Sequence, residues 1–210
     1  MFRFIENIKA QIPNDFFSDA ELMKILPKSA DSRYALVKRA IASKDIIHIR
    51  RGLYVLSKKH HRSGINLFEV AQKIYGPSYV SLESALSYHG WIPESVPTIT
   101  SVCLKRSKEF FTPMGVFAYS RSPKFNYIGV ERIHSGKTLF FMAAPTRALV
   151  DLVVFNKKDW KGMEPLISSL RIEKENLNNL DKEILNRLAN KRLSQRVTRF
   201  IEGLLKELEQ

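Results

Sequence analysis

The spacing of apolar residues predicts two short helices at the start of the chain. In residues 2–12, phenylalanine and isoleucine recur every three or four positions, which is typical of one buried helical face, and Pro13 would end that helix. Ser18 is followed three residues later by Glu21, which is the spacing of a capping box. A second helix is therefore expected to begin after Ser18 and to end before Pro27.

A third helix is expected between Ser32, the predicted N-cap, and Ser43, because no glycine or proline interrupts this stretch. Four apolar residues at helical spacing are predicted to form its buried face: Tyr34, Val37, Ala40 and Ile41. The opposite face combines small side chains with positive charge and consists of Ser32, Ala35, Arg39 and Ala42, with Lys38 on its flank. Small residues would let this face approach the wall of a groove closely.

The apolar pattern changes from helical to strand-like after Asp45. Residues 46–49 are mostly β-branched, residues 50–52 supply a tight basic turn, and residues 53–56 form a second apolar run, so a β-hairpin is expected. Two helices joined by a turn and followed by such a hairpin have the order of a winged helix-turn-helix. In that motif the second helix enters the major groove, and the hairpin, or wing, touches the flanking DNA. A solvated basic helix followed by an ordinary hairpin is the alternative.

Six residues of this helix and hairpin are candidate contacts to double-stranded DNA. Arg39 and Ser32 are candidates for the major groove, where the planar fork of an arginine pairs with a base edge. Lys38 and Arg33 are expected to bind backbone phosphates, and the two arginines of the turn would form the tip of the wing. The predicted DNA-binding residues are Ser32, Arg33, Lys38, Arg39, Arg50 and Arg51.

Residues 57–64 are polar and basic, and we interpret them as the boundary between two domains. The first domain would be the winged helix-turn-helix of residues 1–62, and the second would span residues 63–210. The adjacent His60 and His61 have no partner ligands at helical spacing, so a solvated linker is favoured over a metal site.

The second domain is predicted to combine helices with a small antiparallel sheet. Helical patterns cover residues 65–75 and the stretch from Ser81, a predicted N-cap, to Gly90. An apolar helix capped by Thr146 is expected later, and leucine and isoleucine at helical spacing continue from Glu164 onward. Between these helices, strand-like runs lie at residues 98–104, 116–119, 127–133 and 138–142. The predicted fold class is α+β: a winged helix-turn-helix, then a mixed domain with a small antiparallel sheet and C-terminal helices.

The charge of the chain points to an anionic partner. The 210 residues carry a net charge of +13, with a pI near 9.9. Residues 1–63 hold 13 lysines and arginines against 6 acidic residues, whereas residues 151–210 hold 12 against 10. The excess is therefore densest around the predicted winged helix-turn-helix, and nucleic acid is the simplest partner.

The single cysteine, Cys103, excludes an intramolecular disulfide and a cysteine-based zinc site. Residues 1–11 lack the apolar core of a signal peptide, and no apolar run is long enough to span a membrane. We therefore expect a cytoplasmic protein that has no membrane partner.

No motif predicts a catalytic site. Ser84, His89 and Asp151 are residue types used in acyl transfer, but no nucleophile turn surrounds a serine. A GKT triplet at residues 136–138 lacks the earlier glycine of a phosphate-binding loop, so a hairpin turn is expected there. The rival enzyme is a metal-dependent nuclease that would use Glu131 and Asp151. We expect no catalytic residues, no metal and no cofactor.

Aromatic residues interleaved with basic ones leave a second binding class open. Exposed aromatic rings among lysines and arginines can stack on the bases of single-stranded nucleic acid, although core packing explains most aromatics at alternating strand positions. The aromatic residues in question are Phe110, Phe111, Phe117, Tyr119, Phe125 and Tyr127, and the basic ones are Lys105, Arg106, Lys108, Arg121 and Lys124.

Three stretches of the chain resemble the AbiEi family of type IV antitoxins and their solitary relatives. KRAIASKDIIHIRRGLYVL is similar to the end of that family's winged helix, YVSLESALSYHGW to the helix that starts its second domain, and PTRALVDL to a later helix. The resemblance spans about residues 15–155, and the C-terminal residues match only in being helical.

The resemblance implies a DNA-binding repressor of its own operon that opposes a nucleotidyltransferase toxin. A stable complex with the toxin is not required. The family's DNA-contacting helix and wing fall on the six residues named above, whereas the antitoxin function cannot be placed on individual residues. An inverted-repeat operator would suit two copies of the chain, and binding as independent monomers is also compatible with the sequence. A solitary regulator without a toxin is a further alternative.

Overall fold

The computed structural model of the chain describes residues 2–26, 29–62, 64–136, 138–191 and 193–209. These residues form an α+β fold with ten α-helices and two β-sheets. No helix within the described ranges is both long and apolar enough to cross a membrane.

The N-terminal part of the chain folds as three helices on a three-stranded antiparallel sheet. Its elements are α1 (Phe2–Gln11), β1 (Phe16–Ser18), α2 (Asp19–Ile25), α3 (Ala30–Ala42), β2 (Ile46–Arg50) and β3 (Leu53–Leu56). β3 is the central strand, since it pairs with β1 on one side and with β2 on the other. The hairpin predicted for residues 46–56 is therefore present, with a two-residue turn at Arg51 and Gly52.

The remainder of the chain places helices around a larger sheet. Its first elements are α4 (Leu67–Ile74), β4 (Ser78–Val80), α5 (Leu82–Tyr88), β5 (Thr98–Cys103), β6 (Lys108–Thr112), β7 (Gly115–Arg121), β8 (Val130–Ser135) and β9 (Thr138–Ala143). The helices that follow are α6 (Pro145–Phe155), α7 (Glu164–Leu170), α8 (Lys174–Asn178), α9 (Lys182–Ala189) and α10 (Gln195–Glu207).

The larger sheet has six strands and is mixed, so the prediction of a small antiparallel sheet was wrong. The strand order is β6-β7-β5-β4-β9-β8, and the β4–β9 and β5–β7 pairs are parallel. The sequence pattern did not predict two of the strands. β4 has only three residues, and β6 carries the charged residues Lys108 and Glu109. Pairing between strands that are distant in the chain also leaves no local signal of its direction.

The three-stranded sheet lies between two hydrophobic clusters. Phe17, Tyr54 and Leu56 point toward the helices α1 to α3, whereas Phe16, Leu53 and Val55 join the core of the larger part. All four residues of β3 are consequently buried. Alternate residues of a strand face opposite sides, so this one strand contributes to both cores. The division into domains at residues 62 and 63 stays a prediction.

The helix caps agree with the sequence at Ser18 and Ser81 and differ from it at Ser32 and Thr146. Ser18 and Glu21 form the predicted capping box, with the Ser18 N–H donating to Glu21 Oε2 at 2.8 Å. Ser29, not Ser32, caps α3, and its Oγ accepts from the backbone N–H of Ser32 at 3.3 Å. Thr146 lies inside α6, where its Oγ1 accepts from the Asp181 N–H. The residues before α3, Pro27 and Lys28, lie outside the described ranges.

The segment after β3 is held by hydrogen bonds, so the prediction of a solvated linker was wrong. Lys58–His60 forms a 3₁₀ helix, and Arg62 binds Asp15 through both its Nε and its backbone N–H. Arg62 also donates to the carbonyl oxygens of Lys9 and Asn14. The carboxylate of Asp15 is buried, and a buried carboxylate needs donors. The basic segment supplies them.

Candidate nucleic-acid interface

The exposed face of α3 is wider than the sequence predicted. Val37 and Ala40 are buried as expected, but Tyr34 and Ile41 are exposed, so that part of the prediction was wrong. Leu36 and Arg33, both half-buried, complete the inward face in their place. The residues that α3 presents to solvent after its first two positions are Ser32, Tyr34, Ala35, Lys38, Arg39, Ile41 and Ala42.

Three of the four DNA contacts predicted on α3 lie on this exposed face. Lys38 and Arg39 are exposed, and Arg39 Nε donates to the carbonyl oxygen of Ala35 at 3.3 Å, so its guanidinium lies along the helix. Ser32 is exposed at the first turn, where its Oγ is 2.9 Å from the Oγ of Ser29. Arg33 is half-buried and turns toward α2.

Tyr34 is a residue that the sequence reading missed. Its side chain is 68% exposed, and it lines a cleft of about 230 Å³ between α2 and α3. Asp19 and Tyr54 line the same cleft. Burial, reinforced by the nearby Asp19 carboxylate, raises the pKa of the Tyr54 phenol to about 12. Leu36 is the sequence signal that could have shown Tyr34 to be exposed. Leu36 lies one helical turn before Ala40, so it fits the buried face better than Tyr34 does.

The hairpin turn lies beside the start of α2. The Gly52 carbonyl oxygen accepts from the Asp19 N–H at 3.1 Å, and Gly52 has a φ of +75°. A Cβ at that position would approach Asp19 Oδ2 to 3.1 Å, so both the backbone conformation and the space favour glycine. Arg51, the other residue of the turn, is exposed. The hairpin turn is therefore short and carries one solvent-facing arginine.

Arg50 faces the larger part of the molecule and does not form the tip of the turn. It is the last residue of β2, pairs with Leu53 and is half-buried. Its Nε is buried, and no described group accepts a hydrogen bond from it. Burial raises the pKa of the Tyr119 phenol, and the Arg50 charge is close enough to oppose that rise. The prediction that both arginines form the tip was wrong, because a bulge between His48 and Arg50 shifts the register of β2.

Asp45 fixes the turn between α3 and the hairpin. Its carboxylate accepts hydrogen bonds from His60 Nε2 at 2.8 Å, Lys59 Nζ at 2.6 Å and Ser43 Oγ at 2.5 Å. The hydrogen bond from His60 is the largest influence that holds the pKa of Asp45 well below its usual range, followed by those from Lys59 and Ser43. Asp45 therefore connects the end of α3 to the segment after β3.

The residues considered for catalysis have structural contacts. Asp151 Oδ1 accepts from Arg147 Nε at 2.9 Å, and Oδ2 accepts from Tyr79 and from Ser81. The predicted N-cap Ser81 thus uses its hydroxyl on Asp151 and makes no side-chain cap bond. Glu131 is exposed on β8. No group of three or more potential metal ligands occurs in the part of the chain that the structure describes.

The other candidate side chains are also engaged in packing or hydrogen bonds. Ser84 Oγ donates to the Thr98 carbonyl oxygen at 3.0 Å, and the His89 ring contacts the Ala143 carbonyl oxygen at 3.1 Å. Cys103 is buried, and burial raises the pKa of its thiol. Ser135 pairs with Thr138 at the ends of the antiparallel strands β8 and β9, so the predicted hairpin is present, and Lys137 lies outside the described residues.

Few of the aromatic residues proposed for base stacking are accessible. Phe117 and Tyr119 are buried in the core, and Phe110 packs against Tyr119 with ring centroids 5.7 Å apart. Phe111 is 78% exposed on the edge strand β6, and Tyr127 is also exposed. A stacking surface built from these residues would therefore depend on Phe111 and Tyr127.

No protein-family model matches this chain, and no curated protein matches it either.

Proposed function

We propose that this chain binds duplex DNA as a winged helix-turn-helix protein, with α3 as the recognition helix and the β2–β3 hairpin as a short wing. The observation that carries the proposal is the exposed face of α3, where Lys38 and Arg39 lie among small side chains. Such a face can enter the major groove and supply both a phosphate contact and a base contact.

The order and pairing of the elements support the proposal. A helix, a strand, two helices and a hairpin follow one another, and β1 pairs with the second strand of the hairpin. The turn at Arg51 lies beside the start of α2, and the same start of α2 lines the cleft that contains Tyr34. One continuous surface thus connects the first half of α3 with the exposed arginine of the wing.

The distribution of charge supports a polyanionic partner. The excess of basic over acidic residues is largest in residues 1–63, which contain α3 and the wing. Lysines and arginines that bind phosphates release condensed counterions, so DNA binding by this surface would weaken steeply as salt rises.

The physiological role that we propose is repression of the chain's own operon as the antitoxin of a type IV toxin-antitoxin system. This part of the proposal rests on the resemblance of three stretches to the AbiEi family. The partner would be a nucleotidyltransferase toxin, opposed without a stable complex. Growth of cells that express such a toxin from the neighbouring reading frame, with and without this chain, tests the antitoxin role. Unrelieved toxicity would remove that role and leave a DNA-binding regulator.

A mobility-shift titration of the full chain on its own upstream DNA tests the DNA-binding role. Random duplex of equal length serves as the control, and each titration is run at two salt concentrations. Selective binding that is lost in the triple variant of Lys38, Arg39 and Arg51 to alanine is the expected result. A matched variant changes Arg132, Lys174 and Lys206 to alanine, since these residues are exposed and lie outside the N-terminal part. Equal loss of DNA binding in both variants would indicate that the chain binds DNA nonspecifically through its net charge.

A further inference from the structure

A second cleft lies where α4 and β9 meet the loop between α1 and β1. Its volume is about 530 Å³, which is within the usual range for small-molecule sites. α4, the start of β4 and β9 all contribute side chains to it. Six of the residues that line the cleft are Asn14, Glu69, Gln72, Ser78, Tyr127 and Phe141.

Two buried polar side chains in this cleft have no hydrogen-bond partner among the described residues. Glu69 is only 8% exposed, and no described group donates to its carboxylate. Burial raises the pKa of Glu69, and Lys73, one turn further along α4, partly opposes that rise. Ser78 is 3% exposed, and its Oγ is also without a partner. Buried polar groups in folded proteins are nearly always paired, and the Ser78 hydroxyl is an exception. The Glu69 oxygens are not fully enclosed, so this carboxylate opens into the cleft, where a ligand that carries N–H donors can pair with it.

An aromatic wall lies in the same cleft. The rings of Tyr127 and Phe141 contact each other, with centroids 5.7 Å apart, and both side chains are partly exposed. Gln72 Nε2 donates to the Phe141 carbonyl oxygen at 2.8 Å, which fixes this part of β9 against α4. Partly exposed rings held in this way offer a π-face on which a planar group can stack.

The combination of a carboxylate with aromatic rings selects the kind of ligand. A carboxylate accepts two hydrogen bonds side by side, and guanine presents two adjacent N–H donors on its Watson–Crick edge, whereas adenine presents a donor beside an acceptor. A free cation such as a guanidinium would be disfavoured by the net charge of +13 and by Lys73 in the same cleft. An anionic ligand that carries a neutral planar base is attracted by the net charge, and it can place the base against Glu69 and the phosphate toward Lys73.

We propose that this cleft binds a guanine nucleotide, with Glu69 accepting from the N–H groups of the base and Tyr127 and Phe141 stacking on it. Lys73 lines the cleft with its Nζ 5.4 Å from the centroid of the Phe16 ring, and it would supply the cation for the phosphate. The inference does not depend on DNA binding, since none of the proposed DNA contacts lines this cleft.

Calorimetric titration of the full chain with guanosine monophosphate tests the proposal. Adenosine monophosphate is the control for the base, and inorganic phosphate is the control for charge. We expect saturable binding of the guanine nucleotide, at least tenfold weaker binding of the adenine nucleotide, and no saturable binding of phosphate. Glu69→Gln should weaken guanine binding at least tenfold, because an amide replaces one acceptor with a donor. Glu202→Gln, an exposed glutamate on α10, should leave the affinity unchanged.

A second variant keeps the proposal testable if Glu69→Gln alters the fold. The Phe141 side chain is partly exposed, so Phe141→Ala is expected to fold and to weaken guanine nucleotide binding at least tenfold through lost stacking. Thermal unfolding monitored by circular dichroism verifies the fold of each variant. Equal affinity for the guanine and adenine nucleotides, or no saturable guanine binding up to millimolar concentration, would overturn the proposal.

Discussion

His60 Nε2 lies 2.8 Å from Asp45 Oδ1, and this contact joins the turn after α3 to the segment that follows β3. The two residues are 15 positions apart in the chain, and the whole hairpin lies between them. Because Lys59 and Ser43 donate to the same carboxylate, the angle between α3 and the hairpin is held at one point. A DNA-binding surface made of both elements depends on that angle.

Replacing Asp45 with asparagine should destabilise the protein by about 2 kcal/mol at pH 7, the scale of hydrogen bonds to a charged group. Its folded-state pKa is depressed, so the stabilisation is fully present above the unfolded-state value of about 4. The stabilisation is then lost as the pH falls through the lower folded-state pKa. Urea denaturation of both proteins between pH 3 and pH 7 measures this. A difference between them that stays constant down to pH 3 would contradict the prediction.

Lys38 and Arg39 should have different effects on DNA binding. Lys38→Ala is expected to weaken binding to every duplex and to reduce the salt slope by about one, because one phosphate contact is lost. Arg39→Ala should lose about 1–3 kcal/mol on the specific duplex only, since a base contact carries the discrimination. Mobility-shift titrations on specific and random DNA at several salt concentrations separate the two results. Equal losses on both duplexes for Arg39→Ala would remove it from base readout.

Local signals account for most of what the sequence predicted correctly. The capping box of Ser18 and Glu21 needs only residues three positions apart, and the β2–β3 hairpin needs only a change of period around a tight turn. The hydrogen bond between Arg62 and Asp15 joins residues 47 positions apart, and no local sequence pattern predicts it. The mixed sheet was missed for the same reason.

The candidate interface shows the same division between local and distant causes. The exposure of Lys38 and Arg39 follows from the period of the helix. The orientation of Arg50 depends instead on a bulge in β2 and on the core of the larger part of the molecule, which includes Tyr119. Glu69 reads as an ordinary solvated residue of α4, and only the packing of β9 against that helix encloses its carboxylate in a cleft. Contacts between residues that are distant in the chain thus determine which charged side chains remain available to bind a partner.

The two arginines at the hairpin turn should separate into a DNA contact and a packing residue. Arg51→Met is expected to weaken DNA binding by about 1.5 kcal/mol and to leave stability unchanged, because the side chain is exposed. Arg50→Met keeps the aliphatic stem and removes a buried, unpaired N–H, so it should leave DNA binding unchanged and maintain or raise stability. Paired mobility-shift and urea measurements check both variants. A stronger DNA defect in Arg50→Met would show that Arg50 contacts DNA.

Tyr34 should contribute to DNA binding although it is an aromatic residue on a helix. Tyr34→Ala is expected to lower DNA affinity by about 1 kcal/mol while the free energy of unfolding changes by less than about 0.5 kcal/mol, as is usual at exposed positions. Phe111→Ala is the matched control, since Phe111 is also an exposed aromatic residue but lies on β6. Fluorescence anisotropy with labelled duplex and labelled single strand measures both. Loss of single-strand binding in Phe111→Ala would instead support base stacking on the larger sheet.

Arg147 and Asp151 should act as one structural unit in the core. Arg147 is buried and donates to Asp151, to Asn126, to the Ile128 carbonyl oxygen and to the Tyr79 hydroxyl. Arg147→Met alone should destabilise the protein by about 3–5 kcal/mol, because the Asp151 carboxylate would remain buried without its cation.

The double variant of Arg147→Met with Asp151→Leu should be less destabilised than Arg147→Met alone, since neither charge is then left buried and unpaired. A double-mutant cycle by urea denaturation, completed with Asp151→Leu, measures the coupling between the two positions. Additive effects would mean that the ion pair is not the reason for either loss. Incubation of the same variants with labelled DNA and Mg²⁺ covers the catalytic alternative, because a nuclease that used Asp151 would lose cleavage in Asp151→Leu while the protein remained folded.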